Sequence, residues 1–279
     1  MESYERAMQF WPSPREEFDV PTSFGSTRVY AHGAGDSRKP VVVLLHGQNA
    51  TAASWHANVG PLAEHFAVYA VETLGEPGMS VQSEPIVHAE QSAEWLAEVL
   101  DRLGLTRVHL VGLSYGGWLA ANHALRRGDQ LASLTLLDPA AVFAGVHLPT
   151  LLHAALAGLL GVDSVIRKFI IKIRNGSRPS EAQMRLLVDA MRTYRVRLPP
   201  PLRFGDADLR SIRVPSLVLF GAKSAMHNSH RAAERARRLL RDVRVNLLAG
   251  TGHGLPSERT ETVNADIVAF VRSITDAER

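Results

Sequence analysis

The stretch VHLVGLSYGG, residues 108–117, is the part of the chain from which the fold can be worked out. An apolar, β-branched run opens it, a Gly-x-Ser-x-Gly turn centred on Ser114 follows, and a helical pattern continues to Arg127. This order predicts a strand, a sharp turn that carries the serine, and a helix. Because such a turn strains the serine backbone, its flanking positions must be small, and Gly112 and Gly116 satisfy that requirement. The Ser114 hydroxyl is then expected above a helix N-terminus, which favours negative charge.

Short apolar runs alternate with helical patterns over most of the chain. Several runs are continuously apolar, which is typical of strands buried on both faces of a parallel sheet. The alternation predicts an α/β fold with a mostly parallel, twisted sheet of about eight strands and helices on both faces. We predict strands at 28–31, 41–45, 67–71, 108–111, 134–137, 217–220 and 243–248, and helices at 52–65, 89–103, 117–127, 231–241 and 258–274.

The strand–helix alternation stops between residues 140 and 208. Helical patterns at 151–160, 165–173 and 181–194 follow one another here without a convincing strand, and a run of prolines ends them. We interpret 140–208 as a helical cap inserted into a core made of residues 1–139 and 209–279. Most apolar side chains of the cap are expected to pack onto the core, and a fraction to line a pocket; they are Leu151, Leu152, Leu156, Leu159, Leu160, Phe169 and Ile170.

The composition excludes several classes of protein. With 46% hydrophobic and 21% charged residues among 279, the chain is typical of a soluble globular protein. The absence of cysteine excludes disulfides and thiol nucleophiles. We see no signal-peptide pattern, and the apolar runs are too short to span a bilayer, so we expect a cytoplasmic protein without a membrane partner. A net charge of +3 is too small to indicate nucleic-acid binding.

The charge is unevenly distributed along the chain. Between residues 147 and 203 ten basic residues oppose three acidic ones, a net charge of +7, and the remainder of the chain carries −4. Basic residues above a pocket would attract an anionic substrate or a phosphate-bearing carrier. The alternative, which we favour at this point, is that these arginines and lysines cover a solvated outer face.

The loop AGTGHG, residues 249–254, places His253 between the last predicted strand and the last predicted helix. A serine hydroxyl is a poor nucleophile until a base accepts its proton. The glycines allow the loop to fold back over the end of the sheet. We therefore predict that His253 is the base that activates Ser114.

A second loop, LLHGQ at residues 44–48, ends a predicted strand and has the position of an anion-binding turn. Acyl transfer requires hydrogen-bond donors for the oxygen that becomes negative. The backbone N–H groups of Gln48 and Tyr115 could both point at such an oxygen, and Gly47 would allow the tight turn. We predict that Gln48 and Tyr115 form an oxyanion hole.

Taken in this order, the segments resemble the α/β-hydrolase family, and bacterial carboxylesterases most of all. The resemblance covers roughly residues 24–271. It implies a serine hydrolase that cleaves a carboxylic ester or lactone through an acyl-enzyme intermediate on Ser114. Dehalogenase and epoxide-hydrolase relatives are disfavoured, because they carry Asp at the position of Ser114. The expected partner is a small-molecule ester, lactone or thioester.

The third member of the implied triad, an acid, is missing from its usual position. The family commonly places it after the seventh core strand, where this chain has Ser224. Some members place it after the sixth strand instead, where this chain has Asp138, and we predict that Asp138 is the acid. A serine–histidine dyad with water in place of the acid stays open. Gly47, Ser224 and Glu72, which ends another strand, are expected to support the site from behind.

Three functions therefore stay open at the level of sequence. The first is an ester or lactone hydrolase, and the second a thioesterase or acyltransferase of a biosynthetic pathway. The third is a non-hydrolytic lyase or binding protein on the same fold, which Ser224 at the acid position motivates. We expect no metal or cofactor, since His227 and His230 lack a third ligand and no phosphate-binding glycine loop is present. The oligomeric state is left open.

Overall fold

The computed structural model describes residues 1–277, and within them a single mixed sheet of nine strands forms the centre. Numbered along the chain, the strands lie across the sheet in the order 1, 2, 4, 3, 6, 7, 8, 9, and strand 5 pairs with strand 2. The strands are β1 (Glu16–Thr22), β2 (Gly25–His32), β3 (Val41–Leu45), β4 (Ala67–Val71), β5 (Val81–Gln82), β6 (Val108–Leu113), β7 (Leu131–Leu137), β8 (Ser216–Gly221) and β9 (Val243–Leu248).

The sheet is parallel from β4 onwards and antiparallel at its first edge. β3 pairs with β4 and β6, and β7, β8 and β9 continue the parallel ladder, whereas β1, β2 and β5 pair antiparallel. All seven predicted strands are present, which confirms the predicted α/β fold with a mostly parallel sheet. β1 and β5 were not predicted, because β1 is a polar edge strand that contains Pro21 and β5 has only two residues.

Helices cover both faces of the sheet. Within β3, Val42 and Leu44 belong to one apolar cluster and Val43 and Leu45 to the other, as the two-residue period of a strand requires. Burial on both faces explains why the central strands are continuously apolar. The helices are α1 (Glu2–Met8), α2 (His56–Ala63), α3 (Ala89–Arg102), α4 (Tyr115–Arg127), α5 (Leu148–Leu160), α6 (Asp163–Ile173), α7 (Glu181–Thr193), α8 (Asp206–Ser211), α9 (Ser229–Leu239), α10 (Leu255–Glu258) and α11 (Thr260–Ala277).

Between β7 and β8 the chain forms α5, α6, α7 and the short α8. The interrupted pattern predicted the first three of these helices. These helices share a small apolar cluster that includes Ala157 of α5, Ile166 and Ile170 of α6, and Val188 of α7. The boundaries 140–208 remain our interpretation of the cap.

The predicted packing of the α5 leucines onto the core is wrong. Leu151, Leu152, Leu156, Leu159 and Leu160 are between 48% and 84% exposed. Only Thr150 and Ala157 of this helix are buried among the residues that the structure describes. Because α5 approaches its neighbours through small side chains, its leucines stay at the surface. No helix within residues 1–277 is both long and apolar enough to cross a bilayer.

Candidate active site

Ser114 lies between the end of β6 and the first residue of α4, in a backbone conformation that side chains rarely adopt. Its φ is 55° and its ψ is −114°. The turn is held from behind, since the Ser114 N–H donates to Leu137 O at 3.0 Å and Ser114 O accepts from Ala140 N at 3.0 Å. A Cβ at Gly112 would lie 2.2 Å from Gly116 O, and one at Gly116 would lie 2.3 Å from the carbonyl oxygen of Leu45. The structure therefore requires both glycines, as the sequence predicted.

The predicted acid and base lie next to each other. Asp138 follows β7, is fully buried, and has its Oδ2 2.6 Å from His253 Nδ1. Ser224 Oγ donates to the same oxygen at 2.6 Å, and Gly221 N approaches Oδ1 at 3.3 Å. Because a carboxylate only accepts, Nδ1 of His253 carries the proton, which leaves Nε2 as the acceptor.

A second histidine contacts the other carboxylate oxygen of Asp138. His227 is buried, its Nε2 lies 3.4 Å from Oδ1, and its ring packs edge-on against Phe220. Burial alone would raise the pKa of Asp138, but the hydrogen bond with His253 and the electrostatic interaction with the two neighbouring imidazoles hold that pKa well below its usual value. Asp138 is therefore a carboxylate at neutral pH and can orient an imidazole.

Glu258 holds the loop that carries His253. One of its carboxylate oxygens accepts from Gly252 N at 2.7 Å and the other from Gly254 N at 2.8 Å. The amide of His253 itself donates to Ile173 O at 3.0 Å. The carboxylate of Glu258 thus restrains the backbone on both sides of His253, and the last residue of α6 restrains the amide of His253 itself.

Arg174 packs against the same loop from the helical segment. A Cβ at Gly252 would lie 2.3 Å from the carbonyl carbon of Arg174, and one at Gly254 would lie 2.0 Å from its Nη1. The guanidinium donates to Ser257 Oγ at 3.0 Å. Burial lowers the pKa of Arg174, and the charge of Glu258 opposes that shift. The histidine loop therefore packs directly against the segment between β7 and β8.

The loop after β3 brings Gly47 and Gln48 beside Ser114. A Cβ at Gly47 would lie 3.3 Å from Ser114 Cβ. His46 is buried, which lowers its pKa to about 4, so its ring is neutral. Nε2 of His46 accepts from Thr73 N at 3.0 Å; Nδ1 therefore carries the proton and donates to Gly47 O at 2.9 Å.

This contact determines where the amide of Gln48 points. In a planar trans peptide the C=O and N–H point in opposite directions, so with Gly47 O turned to His46 the Gln48 N–H points away from it. Tyr115 is the first residue of α4, where the amides of the first turn have no acceptor inside the helix. Gln48 and Tyr115 both line the cavity that contains Ser114.

Glu72 lies behind this region and not in the cavity. Its Oε1 accepts from Tyr4 Oη at 2.7 Å and from Ala52 N at 3.4 Å. Burial raises the pKa of Glu72 to about 7, and its hydrogen bonds oppose the shift. Glu72 therefore contacts α1 and the segment after β3, and its role at the site stays a prediction.

One cavity of about 680 Å³ contains Ser114 and His253. The segment between β7 and β8 contributes most of its apolar wall, including Leu151, Leu159, Phe169 and Ile170. Part of the predicted set thus lines a pocket. Of the described residues that line it, Arg174 and Arg195 are charged and none is a carboxylate.

Comparison with known proteins gives the family of the chain. The model of a family described as "Alpha/beta hydrolase family" matches residues 42–266 of the chain. This chain belongs to the α/β-hydrolase family.

Relatives of this α/β hydrolase include two Bacillus subtilis (strain 168) proteins. The carboxylesterase YbfK is 33% identical in sequence, over 97% of this chain and 92% of the YbfK chain. The uncharacterized carboxylesterase nap is 29% identical, over 100% of this chain and 94% of the nap chain. The crystal structure of carboxylesterase CesB (YbfK) matches with a TM-score of 0.89 at 30% identity, covering 97% and 96% of the two chains. The resemblance to bacterial carboxylesterases is confirmed.

The structure brings Ser114, His253, Gln48 and Tyr115 to one cavity, with Asp138 next to His253, and leaves Glu72 outside the cavity. Four further residues around the site were not predicted from the sequence as site residues: His46, Arg174, His227 and Glu258. A carboxylate shortly after the Gly-His-Gly loop was a usable sign for Glu258, because it can reach back to the amides of the loop. Arg174 had no such sign, since its contact depends on how α6 packs against the core.

Proposed function

We propose that this α/β hydrolase is a carboxylic-ester hydrolase that works through an acyl-enzyme intermediate on Ser114. The observation that carries the proposal is the 2.6 Å contact between Asp138 and His253 beside a serine on a strained turn. The names of the relatives, YbfK and nap, support the same activity.

In the proposed mechanism the Ser114 oxygen attacks the ester carbonyl while Nε2 of His253 accepts the hydroxyl proton. Asp138 keeps the imidazole in the required tautomer and stabilises its charged form. The amides of Gln48 and Tyr115 donate to the carbonyl oxygen as it becomes negative. His253 then returns the proton to the departing alcohol, which leaves the acyl group on the serine.

Deacylation repeats these steps with water. His253 removes a proton from the water that attacks the acyl carbonyl, and the proton returns to Ser114 as the carboxylic acid departs. We propose that Gly47 permits the close approach of the oxyanion loop, and that Ser224 and Glu72 support the site without contacting the substrate.

The cavity supports a small or medium-sized, largely apolar ester or lactone. Its volume of about 680 Å³ is in the range that encloses a drug-sized molecule. The crystal structure of a B. subtilis naproxen esterase, with a TM-score of 0.88 at 29% identity over 97% of this chain, supports an acid of similar bulk.

A thioesterase or acyltransferase is the second candidate, because Arg174 and Arg195 line the cavity without a carboxylate among its described residues. These arginines would favour a phosphate-bearing carrier. The non-hydrolytic alternative was based on Ser224 at the usual position of the acid. With Asp138 beside His253, that reason no longer applies.

We propose a cytoplasmic location and small-molecule partners, without nucleic acid or membrane.

Covalent labelling and turnover test the proposal together. A fluorophosphonate is expected to modify Ser114, located by mass spectrometry, and the protein is expected to hydrolyse a short-chain nitrophenyl ester. Ser114→Ala should lose both. If the folded protein shows neither, the proposal is wrong. Faster turnover of an acyl thioester than of the matched oxygen ester would favour the second candidate.

A further inference from the structure

Glu76 is a buried carboxyl group that the proposed mechanism does not use. It lies in the loop after β4 and is 1% exposed. Its Oε2 accepts the amide N–H of Asn49 at 2.9 Å, and its Oε1 is buried without a hydrogen-bond partner within residues 1–277. Buried polar groups rarely lack partners, so this carboxyl requires an explanation.

The Asn49 amide belongs to the peptide that directly follows Gln48. Because the peptide group is planar, fixing this N–H also fixes the Gln48 carbonyl at its other end. The preceding peptide is held at the Gly47 carbonyl by Nδ1–H of His46, 2.9 Å away. With both peptide planes restrained, the orientation of the Gln48 amide is fixed.

The loop that Glu76 restrains adopts a backbone conformation that needs support. Asn49 has a φ of 58°, in the left-handed region, which is less favourable for any residue with a side chain than for glycine. The segment after β4 supplies both restraints, since Thr73 N–H holds Nε2 of His46 and Glu76 holds Asn49. The anchor of the oxyanion loop is therefore one short segment, 73–76.

The charge state of Glu76 suits a position close to a developing negative charge. Burial raises its pKa to about 8, and the hydrogen bond from Asn49 only partly offsets that shift. At neutral pH the carboxyl is therefore mostly uncharged. Tyr115 and Tyr194 interact electrostatically with Glu76. Burial raises their pKa values and Glu76 raises them further, so both tyrosines are uncharged as well.

We propose that Glu76 is a positioning residue for the oxyanion hole. Its carboxyl oxygen holds the Asn49 amide and thereby aims the Gln48 N–H at the oxygen that becomes negative when Ser114 attacks. This inference rests on the proposed ester hydrolysis, but it concerns a residue outside the cavity lining. A donor that is slightly misdirected loses binding to the transition state and not to the ground-state ester.

Substitutions that remove the acceptor oxygen should therefore lower kcat and leave KM nearly unchanged. For Glu76→Ala and Glu76→Met we expect kcat to fall about 10- to 100-fold, with KM within about twofold of wild type. Glu76→Gln keeps a neutral acceptor oxygen and should retain at least about half of the wild-type kcat. Glu84→Ala removes an exposed carboxylate and serves as the control with unchanged kinetics.

Inhibition by a trifluoromethyl ketone separates aiming of the amide from general loosening of the fold. Such a ketone forms a hemiketal oxyanion on Ser114, so its Ki should rise in Glu76→Ala and Glu76→Met by the factor by which kcat falls. The proposal is overturned if folded Glu76→Ala or Glu76→Met keeps the wild-type kcat and the wild-type Ki for the ketone. It is also overturned if Glu76→Gln shows both the lower kcat and the higher Ki. A wild-type protein that neither hydrolyses esters nor binds the ketone would instead overturn the ester-hydrolase proposal.

Discussion

Asp138 carries its charge in a fully buried position because several polar groups surround its carboxylate. Ser224 Oγ and His253 Nδ1 lie 2.6 Å from Oδ2, and Gly221 N and His227 Nε2 approach Oδ1 at 3.3 and 3.4 Å. An isolated buried carboxylate would be protonated, so these neighbours keep it ionised. At the residue scale, the serine at the usual acid position donates a hydrogen bond to an acid that comes from the adjacent strand.

Two matched substitutions test whether Asp138 is the acid and Ser224 its hydrogen-bond donor. Asp138→Asn should lower kcat by up to about 10⁴-fold, because the amide can donate to His253 and select the wrong tautomer. Ser224→Ala removes one hydrogen bond to the carboxylate and should lower kcat about tenfold. Steady-state kinetics with a nitrophenyl ester measure both, and circular dichroism verifies folding. Nearly wild-type turnover in Asp138→Asn would instead favour a dyad with water.

At the scale of single elements, the β6–α4 turn depends on contacts that leave no room for a side chain. A Cβ at Gly116 would lie 2.3 Å from Leu45 O and 2.5 Å from His46 O, both backbone atoms of β3 and its loop. Gly158, in α5, has open space around its Cβ position. The two glycines therefore differ in environment although both lie in helices.

Gly116→Ala and Gly158→Ala should change stability in opposite directions. The first forces β3 and α4 apart and should lower the free energy of unfolding by about 3 kcal/mol. The second should raise it by about 0.5–1 kcal/mol, because alanine loses less backbone entropy in a helix. Urea denaturation at fixed pH measures both. If the two substitutions changed the free energy of unfolding equally, the helix propensity of alanine, and not crowding at the turn, would determine the effect of Gly116→Ala.

Sequence patterns indicate most directly those strands that are buried on both faces. β6 is enclosed on both faces and its apolar run indicated a strand correctly, whereas β1 at the sheet edge has mostly exposed side chains and no such pattern. The apolar periodicity of α5 predicted a buried face, yet Leu159 is 84% exposed. An apolar pattern identifies a helix, but the contacts available to it depend on neighbours distant in sequence.

At the scale of the whole molecule, several ionisable groups are buried in their neutral forms. Burial raises the pKa of Glu72 to about 7 and that of Glu76 to about 8, and lowers the pKa of His46 and His123 to about 4. Unfolding returns each group to its ordinary pKa. Stability therefore depends on pH through the difference in bound protons between the folded and unfolded states.

Between pH 6.5 and 8 the free energy of unfolding should fall as pH rises. Histidines of the unfolded chain are about half protonated at pH 6.5 and largely neutral above pH 7. The slope is therefore set mainly by Glu76 and, below pH 7, by Glu72, which bind a proton only in the folded protein. Each fully protonated carboxyl contributes a slope of at most about 1.4 kcal/mol per pH unit. Urea denaturation across this range should show a flatter profile for Glu76→Gln.

Glu84→Gln provides the control for this pH profile, because Glu84 is exposed. It should keep the wild-type slope. An identical slope in Glu76→Gln and wild type would show that Glu76 ionises normally in the folded protein. Below pH 6 stability should fall again as pH decreases, since the buried His46, His109 and His123, whose pKa values burial lowers to about 4, accept protons only after unfolding and together outweigh the two carboxyls.

The sequence by itself determined the order of the central strands and of the helices between them, the turn at Ser114 and the glycine-rich loop of His253. Each follows from rules that act between neighbours in the chain: the alternation of apolar runs, the steric demand of a strained turn, the freedom of glycine. Only the tertiary structure decided that Asp138 lies against His253 with Ser224 as its donor. Asp138 and His253 are 115 positions apart, and both Asp138 and Ser224 lie beyond the ends of adjacent parallel strands. Which of them reaches the imidazole depends on how the loops pack together, which no local pattern encodes.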